Sequence, residues 1–355
     1  MRLEDLGYNS TFENHRIEQE LDGFEVGRII AEHKERYVLK TDKNEYEAEL
    51  IGNLRFNAES RADFPAVGDW VAFSEYDEHK ALIHAIFPRQ TIIERQAVGK
   101  FGEKQIIATN IDFAFILQAV DRDFNLNRIE RYLTICHAAK VKPIVVLNKI
   151  DLIEKKQVEE LQELFQQRIK NTTVIAMSNE SGKGIQEVRN CIQTGKTYCL
   201  LGSSGVGKSS LLNNISGKTL MKTDVIGEGT NRGKHVTSHR ELIVLERGGI
   251  LIDNPGMREV GIADASTGIE LTFDKIMKLA SDCRYKDCTH VHEQGCAVIE
   301  AVEEGEIDQY AYNNYLKMEK EKNFFESSQA EKKKKDKDLG KIIKHFKNER
   351  KKGKY

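Results

Sequence analysis

Gly202-Ser203-Ser204-Gly205-Val206-Gly207-Lys208-Ser209-Ser210 follows the apolar run Tyr198-Cys199-Leu200-Leu201 and leads into Leu211-Leu212-Asn213-Asn214-Ile215. The order is strand, glycine-rich turn, helix, the setting in which G-x-x-x-x-G-K-[ST] cradles phosphates. The glycines let backbone N–H groups converge on phosphate oxygens, and the positive end of the next helix adds to the attraction. Lys208 reaches the terminal phosphates and Ser209 can ligand Mg²⁺. A ligand-free Gly/Ser turn needs neither flanking element. The stretch therefore reads as a nucleoside triphosphate site on an α/β sheet.

Upstream, Phe113-Ala114-Phe115-Ile116-Leu117 and Pro143-Ile144-Val145-Val146-Leu147 are continuous apolar runs of the kind buried in a parallel sheet, separated by a helical period from Asn127 to Lys140. The second run ends in Asn148-Lys149-Ile150-Asp151, at the carboxyl end of a strand, where doubly wound sheets bind ligands. The Asp151 carboxylate can accept from guanine N1–H and the exocyclic amine. Asn148 can meet the O6/N7 edge, and Lys149 can lie along the base plane. Alone, N-K-x-D also serves as a helix N-cap; with the phosphate loop it selects guanine. A charged helix (Lys155 to Lys170), a strand (Thr173 to Met177) and a helix (Ile185 to Gln193) follow, and the Ala176/Ser178 region sits where GTPases contact guanine through a backbone amide.

Beyond the phosphate loop, Gly227 to Arg240 is polar, glycine-rich and aperiodic, and Glu241 to Leu245 and Ile250 to Ile252 form a hairpin. The hairpin ends in Asp253-Asn254-Pro255-Gly256, a D-x-P-G in which Asp253 holds Mg²⁺ through water and Gly256 turns its N–H to the γ-phosphate.

Residues 1–104 read as a small closed barrel of the OB type. Phe24 to Ala31, Tyr37 to Thr41, Glu45 to Ile51, Asp69 to Phe73 and Ala81 to Phe87 are its strands. Arg28, Lys34, Arg36, Lys40, Arg55 and Arg61 are candidate phosphate contacts, with Tyr37 and Phe56 for stacking; the same charges could equally be solvating a barrel. Residues 105–265 are the α/β nucleotide domain. Residues 266–355 are mostly helical (Ile269 to Ala280, Ala297 to Glu304, Asp308 to Phe325) and end in a basic tail. Within them Cys283-x4-Cys288-x-His290-x5-Cys296 offers three thiolates and one imidazole. A complete Cys3His set suits a structural Zn²⁺, and a disulfide is the weaker alternative in a reducing compartment. Cys136, Cys191 and Cys199 stand singly in apolar segments, as buried structural thiols do.

The 355 residues, 39% hydrophobic, are enough for two or three domains with ample cores. The net charge of -2 conceals twelve Lys/Arg against four Asp/Glu from Glu331 to Tyr355. That tail either lies on nucleic acid or is simply solvated. No apolar run reaches the roughly 18 residues of a membrane span, and Met1 is not followed by a signal-peptide apolar region, so a cytoplasmic protein is expected.

The order of motifs is unusual. N-K-x-D comes first, and phosphate loop, switch and D-x-P-G follow, so the GTPase domain reads as circularly permuted. With a barrel in front and a Cys/His cluster behind, the chain resembles the RsgA (YjeQ/YloQ) family of ribosome small-subunit-dependent GTPases. The likeness runs through Val67 to Val71, Pro88-Arg89, Asn110 to Asp112, Arg128 to Leu133, Leu147 to Leu152, Gly202 to Asn213, Gly233 to Thr237, Asp253 to Glu259 and Cys283 to Cys296. Lys234 stands where the family has Arg and Val236 where it has Thr, which leaves Thr237 or Ser238 as the switch ligand to Mg²⁺, Thr237 being favoured.

The resemblance implies GTP hydrolysis to GDP and phosphate, one structural zinc on Cys283, Cys288, His290 and Cys296, and Mg²⁺ on Ser209, Thr237 and Asp253. Its implied partners are the small ribosomal subunit and its rRNA, in late subunit maturation, with no membrane involved and a monomer expected. Met257 replaces the glutamine that usually follows D-x-x-G, so another group must orient the attacking water. The family places a histidine in the switch, here His235, which could instead only pack or touch RNA. Lys208, Thr237 and His235 are then the catalytic set, with a low intrinsic rate raised by the partner. A P-loop ATPase or kinase is opposed by Asn148 and Asp151. A nucleotide-controlled RNA-binding scaffold with incidental hydrolysis would show RNA binding unchanged between GTP and GDP forms.

Overall fold

The computed structural model describes residues 1–33, 36–96, 104–121, 124–169, 172–217, 241–253 and 266–327, with Glu331 and Lys334. A short 3-10 turn (Leu3–Leu6) and helix α1 (Ser10–Glu18) precede strands β1 (Glu25–His33), β2 (Arg36–Lys40) and β3 (Glu45–Leu50). Helix α2 (Gly52–Asn57) and a second 3-10 turn separate these from β4 (Trp70–Asp77) and β5 (Lys80–Ile86). The strands run β1-β2-β3-β5-β4, and β4 pairs back to β1, so the barrel closes as the sequence led one to expect. In β3 every second residue is buried, the period of a pleat with one face inward. Ile29, Tyr37, Leu39, Tyr46, Phe73 and Ile83 fill the interior.

Two of the proposed RNA contacts are therefore corrected. Tyr37 is a core residue, 1% exposed, and cannot stack on a base. Arg28 is equally buried and is spent on the seam described below.

Strands β6 (Ile92–Gln96) and β7 (Lys104–Thr109) form a separate hairpin that period-2 reading had not picked out. There follow β8 (Phe113–Ala119), α3 (Leu126–Ala138), β9 (Lys142–Asn148), α4 (Lys155–Arg168), β10 (Thr173–Ala176), α5 (Ile185–Asn190) and β11 (Thr197–Leu201). Helix α6 (Lys208–Ser216), β12 (Glu241–Val244) and β13 (Ile250–Asp253) complete the domain. The order is β10-β9-β8-β11-β13-β12, parallel except for β12, which is antiparallel to β13. Alternate strand residues feed two cores, as a sheet covered on both faces requires. Ala114, Ile116, Val145, Leu147, Cys199 and Leu201 meet α3 and α4. Phe115, Leu117, Val146, Tyr198 and Leu200 meet α5 and α6.

The C-terminal helices are α7 (Ser266–Thr272), α8 (Asp274–Ala280) and α9 (Ala297–Glu303), then α10 over 309–327. The single helix expected from Ile269 to Ala280 is two, broken at Phe273, whose backbone (φ -111, ψ 42) leaves the helix while its side chain is buried in the small core with Ile276, Val298 and Met318. Nothing among the described residues is a helix long and apolar enough to cross a membrane.

The barrel is joined to the nucleotide domain by strand pairing, Ala31 of β1 against Glu241 of β12. Arg28 reinforces the seam: its guanidinium donates to the carbonyls of Gly68 (3.2 Å), Asn110 (3.0 Å) and Leu6, and to Thr197 Oγ1 (2.9 Å). Burial pushes it down to about 10. The C-terminal helices dock on α3 through Gly268, where a Cβ would lie 2.1 Å from the Thr134 carbonyl oxygen, and through side chains of Glu130 and Arg131.

Candidate functional site

Helix α6 begins where the phosphate loop ends, with Gly207 as its N-cap at φ +98. The Lys208 ammonium turns back into its own loop, donating to the carbonyls of Gly202 (2.9 Å) and Ser203 (2.7 Å). Burial pushes its pKa down to about 8, against the opposing pull of Asp253. Ser209 is half-buried in the first turn. Asp253 is 2% exposed at the end of β13, in register with Leu200 one strand away. A hydroxyl and a carboxylate beside a phosphate loop form an all-oxygen donor set, which suits Mg²⁺.

Strand β9 delivers Asn148 to the same edge. Its buried amide donates to the Val206 carbonyl (2.7 Å), so the candidate base-reading and phosphate-binding segments, 58 residues apart in the chain, meet directly. Lys149 sits in the left-handed region (φ +66) and its ammonium pairs with Asp121 (2.8 Å). Ile150 is buried and donates its N–H to the Met177 carbonyl (3.3 Å), and Asp151 next to it is exposed. In the neighbouring loop Ser178 is fully buried, its hydroxyl accepting from the Ser181 N–H (3.0 Å). The backbone N–H at this place belongs to Asn179, and it donates to Asn148 Oδ1 (3.2 Å).

Asp121, Asn179 and Asn214 were missed by sequence reasoning. Each makes its contact across a chain separation of 28 or more residues, which motif spacing does not register. The only available signal was that Asn179 directly follows Ser178 after a strand. Gly233, Lys234, His235, Val236, Thr237, Ser238, Asn254, Gly256 and Met257 lie outside the described residues, as do Lys34 and nearly all of the basic tail.

The second constellation is Cys283, Cys288, His290 and Cys296, whose ligand atoms all lie within 4.8 Å of one another. Two sulfurs about 2.3 Å from one tetrahedral ion are about 3.8 Å apart, and the Cys283 and Cys296 sulfurs are separated by 3.8 Å. His290 Nδ1 lies 3.6 Å from Cys283 Sγ and 3.3 Å from Cys296 Sγ. Cys296 also caps α9, its sulfur accepting from the Ile299 N–H (3.5 Å), and the Tyr312 hydroxyl donates to the His290 carbonyl. The six cysteines form no disulfide, and the donor set fits one zinc ion with every position filled. Cys136 and Cys199 are buried, while Cys191 is half-buried.

On the barrel, Arg36 pairs with Glu49, Lys40 with Glu45 and Arg61 with Glu32. Phe56, on α2, is 89% exposed.

Comparison with known proteins adds independent findings. The family model described as RsgA GTPase matches residues 86–263. One described as ABC transporter matches 185–353, a span that contains the phosphate loop but not Asn148 to Asp151. The chain is 36% identical to the small ribosomal subunit biogenesis GTPase RsgA 1 of Bacteroides thetaiotaomicron over 96% of this chain and 94% of that protein. It is 40% identical to RsgA 2 of Lactiplantibacillus plantarum over 84% of each. Among solved structures, YloQ, a circularly permuted GTPase, is 26% identical with a TM-score of 0.60, covering 87% of this chain and 96% of that one. YjeQ from Thermotoga maritima shares the fold, with a TM-score of 0.62 at 24% identity over 85% and 97%.

Proposed function

The chain belongs to the RsgA family of GTPases, and from that premise we propose that it hydrolyses GTP under stimulation by the small ribosomal subunit, during late maturation of that subunit, while bound to its rRNA. The observation that carries this reading is the Asn148–Val206 hydrogen bond, which sets a guanine-reading strand end against a phosphate loop. Asn148, Lys149, Ile150 and Asp151 take the base; the amides from Gly202 to Ser210 take the phosphates. Lys208 swings from the Gly202 and Ser203 carbonyls to the β/γ oxygens, exchanging neutral acceptors for anionic ones. Ser209, Asp253 and Thr237 would hold Mg²⁺, which when bound neutralises charge on those oxygens.

His235 orients the attacking water in place of the glutamine that Met257 displaces, and Gly256 offers its N–H to the γ-phosphate. Cys283, Cys288, His290 and Cys296 hold zinc as a structural clip beside the small core of this domain. Barrel and zinc domain grip rRNA on either side of the switch, with Phe56 rather than Tyr37 as the barrel's aromatic contact. The protein acts as a cytoplasmic monomer.

The deciding experiment measures GTP turnover with and without purified small subunits. Subunits should raise turnover strongly, and His235→Ala should lower the stimulated rate by about 10²-fold, the scale of one positioned catalytic group. Asp151→Asn should weaken GTP by roughly 10²-fold and recover part of the loss with xanthosine triphosphate. Unchanged GTP binding in that variant would remove the guanine assignment.

A further inference from the structure

The loop that presents Asn179 does more than supply a backbone amide. Three asparagines from three segments interlock here: Asn148 at the end of β9, Asn179 after β10 and Asn214 on α6. The Asn148 amide donates to the Val206 carbonyl and the Asn179 amide to the next one, Gly207 (3.0 Å). Asn214 Nδ2 donates to Asn179 Oδ1 (3.0 Å) and to its carbonyl (3.3 Å), which fixes the Asn179 amide with its NH₂ toward Gly207. At Gly207 a Cβ would lie 2.3 Å from Asn148 Nδ2 and 2.7 Å from Asn179 Nδ2, so the two side chains occupy the space that only glycine leaves open.

The carbonyl and N–H of a trans peptide point in opposite directions. Holding the Val206 and Gly207 carbonyls from the base side therefore aims the N–H groups of Gly207 and Lys208 the other way, into the phosphate bowl. Asn148 does this for the first peptide while reading the base. Asn179 does it for the second, and Asn214 keeps it from rotating away. We propose that Asn179 is a positioning residue for the guanine nucleotide, its side chain bracing the base-reading loop against the phosphate loop with Asn214 as its support. This rests on the guanine reading above, and it adds a link that makes base and phosphate contacts depend on each other.

The test uses the full chain with GDP as probe, comparing wild type, Asn179→Ala, Asn179→Asp, Asn214→Ala and the Ala/Ala double variant. Asn179→Ala keeps the backbone N–H to Asn148 and loses only the brace. GDP should dissociate about 10-fold faster, the scale of one or two neutral hydrogen bonds, and in GTP turnover the loss should fall on KM rather than kcat. Asn179→Asp should bind GDP more weakly than Asn179→Ala, because a carboxylate would face the Gly207 carbonyl. Asn214→Ala should give a smaller loss that vanishes in the Asn179→Ala background.

GDP dissociation unchanged in Asn179→Ala, an Asp variant as good as wild type, or fully additive Asn179 and Asn214 losses would each overturn the proposal. If Asn179→Ala does not fold, unchanged dissociation in Asn214→Ala overturns it alone. Wild-type preference for GDP over ADP is the separate check on the underlying reading: if it is present while Asn179→Ala is silent, only the brace fails.

Discussion

The barrel and the zinc-cluster domain flank the same nucleotide domain, yet they are attached by different chemistry. The barrel is joined through the backbone: β1 pairs with β12, the Thr109 N–H donates to the Val67 carbonyl (3.1 Å), and Ile30 and Val67 belong to the same core as α3 and β8. Arg28 closes that seam on mostly backbone acceptors. The C-terminal domain keeps a small core of its own, packs α7 closely on α3 at Gly268 and Ala138, and adds charged side-chain pairs to α3 and α4. Glu130 takes Arg168 (2.6 Å) and Asn314 (2.6 Å), Arg168 also reaches Asp308 (2.9 Å), and Arg131 holds Glu321 (2.8 Å). A shared sheet moves as one body, whereas an interface of helix packing and side-chain pairs without shared strands is the looser attachment. The difference sets the barrel in the nucleotide domain's frame and leaves the C-terminal domain without a strand shared with the sheet.

The largest effect expected from this contrast comes from breaking the proposed zinc cluster. Structural zinc contributes on the order of 10 kcal/mol to small metal-dependent folds, so chelation, or Cys288→Ser, should melt α8 and α9. Amide exchange should report the loss there while β1–β5 stay protected and GDP still binds. Simultaneous collapse of the barrel would break the contrast.

Next in size is Arg28→Ala. It strands the carbonyls of Leu6 and Asn110 and the Thr197 hydroxyl in a buried seam, while the Gly68 carbonyl keeps the Asn110 amide (3.0 Å); each unsatisfied group costs about 1–3 kcal/mol. A loss of about 4 kcal/mol is expected, measured by denaturant titration with probes in the barrel and in the nucleotide sheet, which should unfold together because the barrel has no independent seam to let go. Two separated transitions would show that the barrel is a docked body after all.

How much of this was legible beforehand follows the same division. Strands with period-2 or continuous apolar patterns, the phosphate loop, N-K-x-D and the cysteine spacing carry their meaning within a few residues, and the barrel, the sheet and the Cys3His cluster could be read from them. The seams could not. Arg28 looks like any basic strand residue until Thr197, 169 positions away, is brought beside it, and Tyr37 looks like a stacking platform until the barrel closes over it. The hairpin β6–β7 was missed because its apolar residues come in adjacent pairs, Ile92-Ile93 and Ile106-Ile107, and not in alternation, and the break at Phe273 because the helical period continues through it. Asn179 lay one residue from the position singled out, but its side-chain partners belong to other segments.

The third effect is on the zinc-domain seam itself. Arg168→Ala leaves the Glu130 carboxylate, 4% exposed, without its guanidinium, and breaking such a buried pair costs about 3 kcal/mol or more. The Arg168–Asp308 contact, with Asp308 49% exposed, adds little. Exchange protection in α7 and in the facing turns of α3 should fall in the variant while the barrel is untouched. Raising salt should move the wild type in the same direction, through the Arg131–Glu321 pair near the surface.

The smallest effect, and the finest test of the contrast, is Glu130→Gln. Burial raises the Glu130 carboxyl above its ordinary value even though Arg168 and Asn314 oppose it, so the folded protein holds this proton more tightly than the unfolded chain does. The contribution of Glu130 to docking is then fully present below its unfolded value and declines as pH rises through the raised one. Glutamine keeps an acceptor for Arg168 and Asn314 but cannot ionise. At neutral pH the variant should lie within about 1 kcal/mol of wild type, since replacing a buried charge by a neutral group of like shape is often nearly neutral. The stability difference between the two should slope with pH on the acid side and flatten toward neutrality. A pH-independent difference would mean that Glu130 is ionised at no cost, and the zinc-domain seam would then be as firmly set as the barrel's.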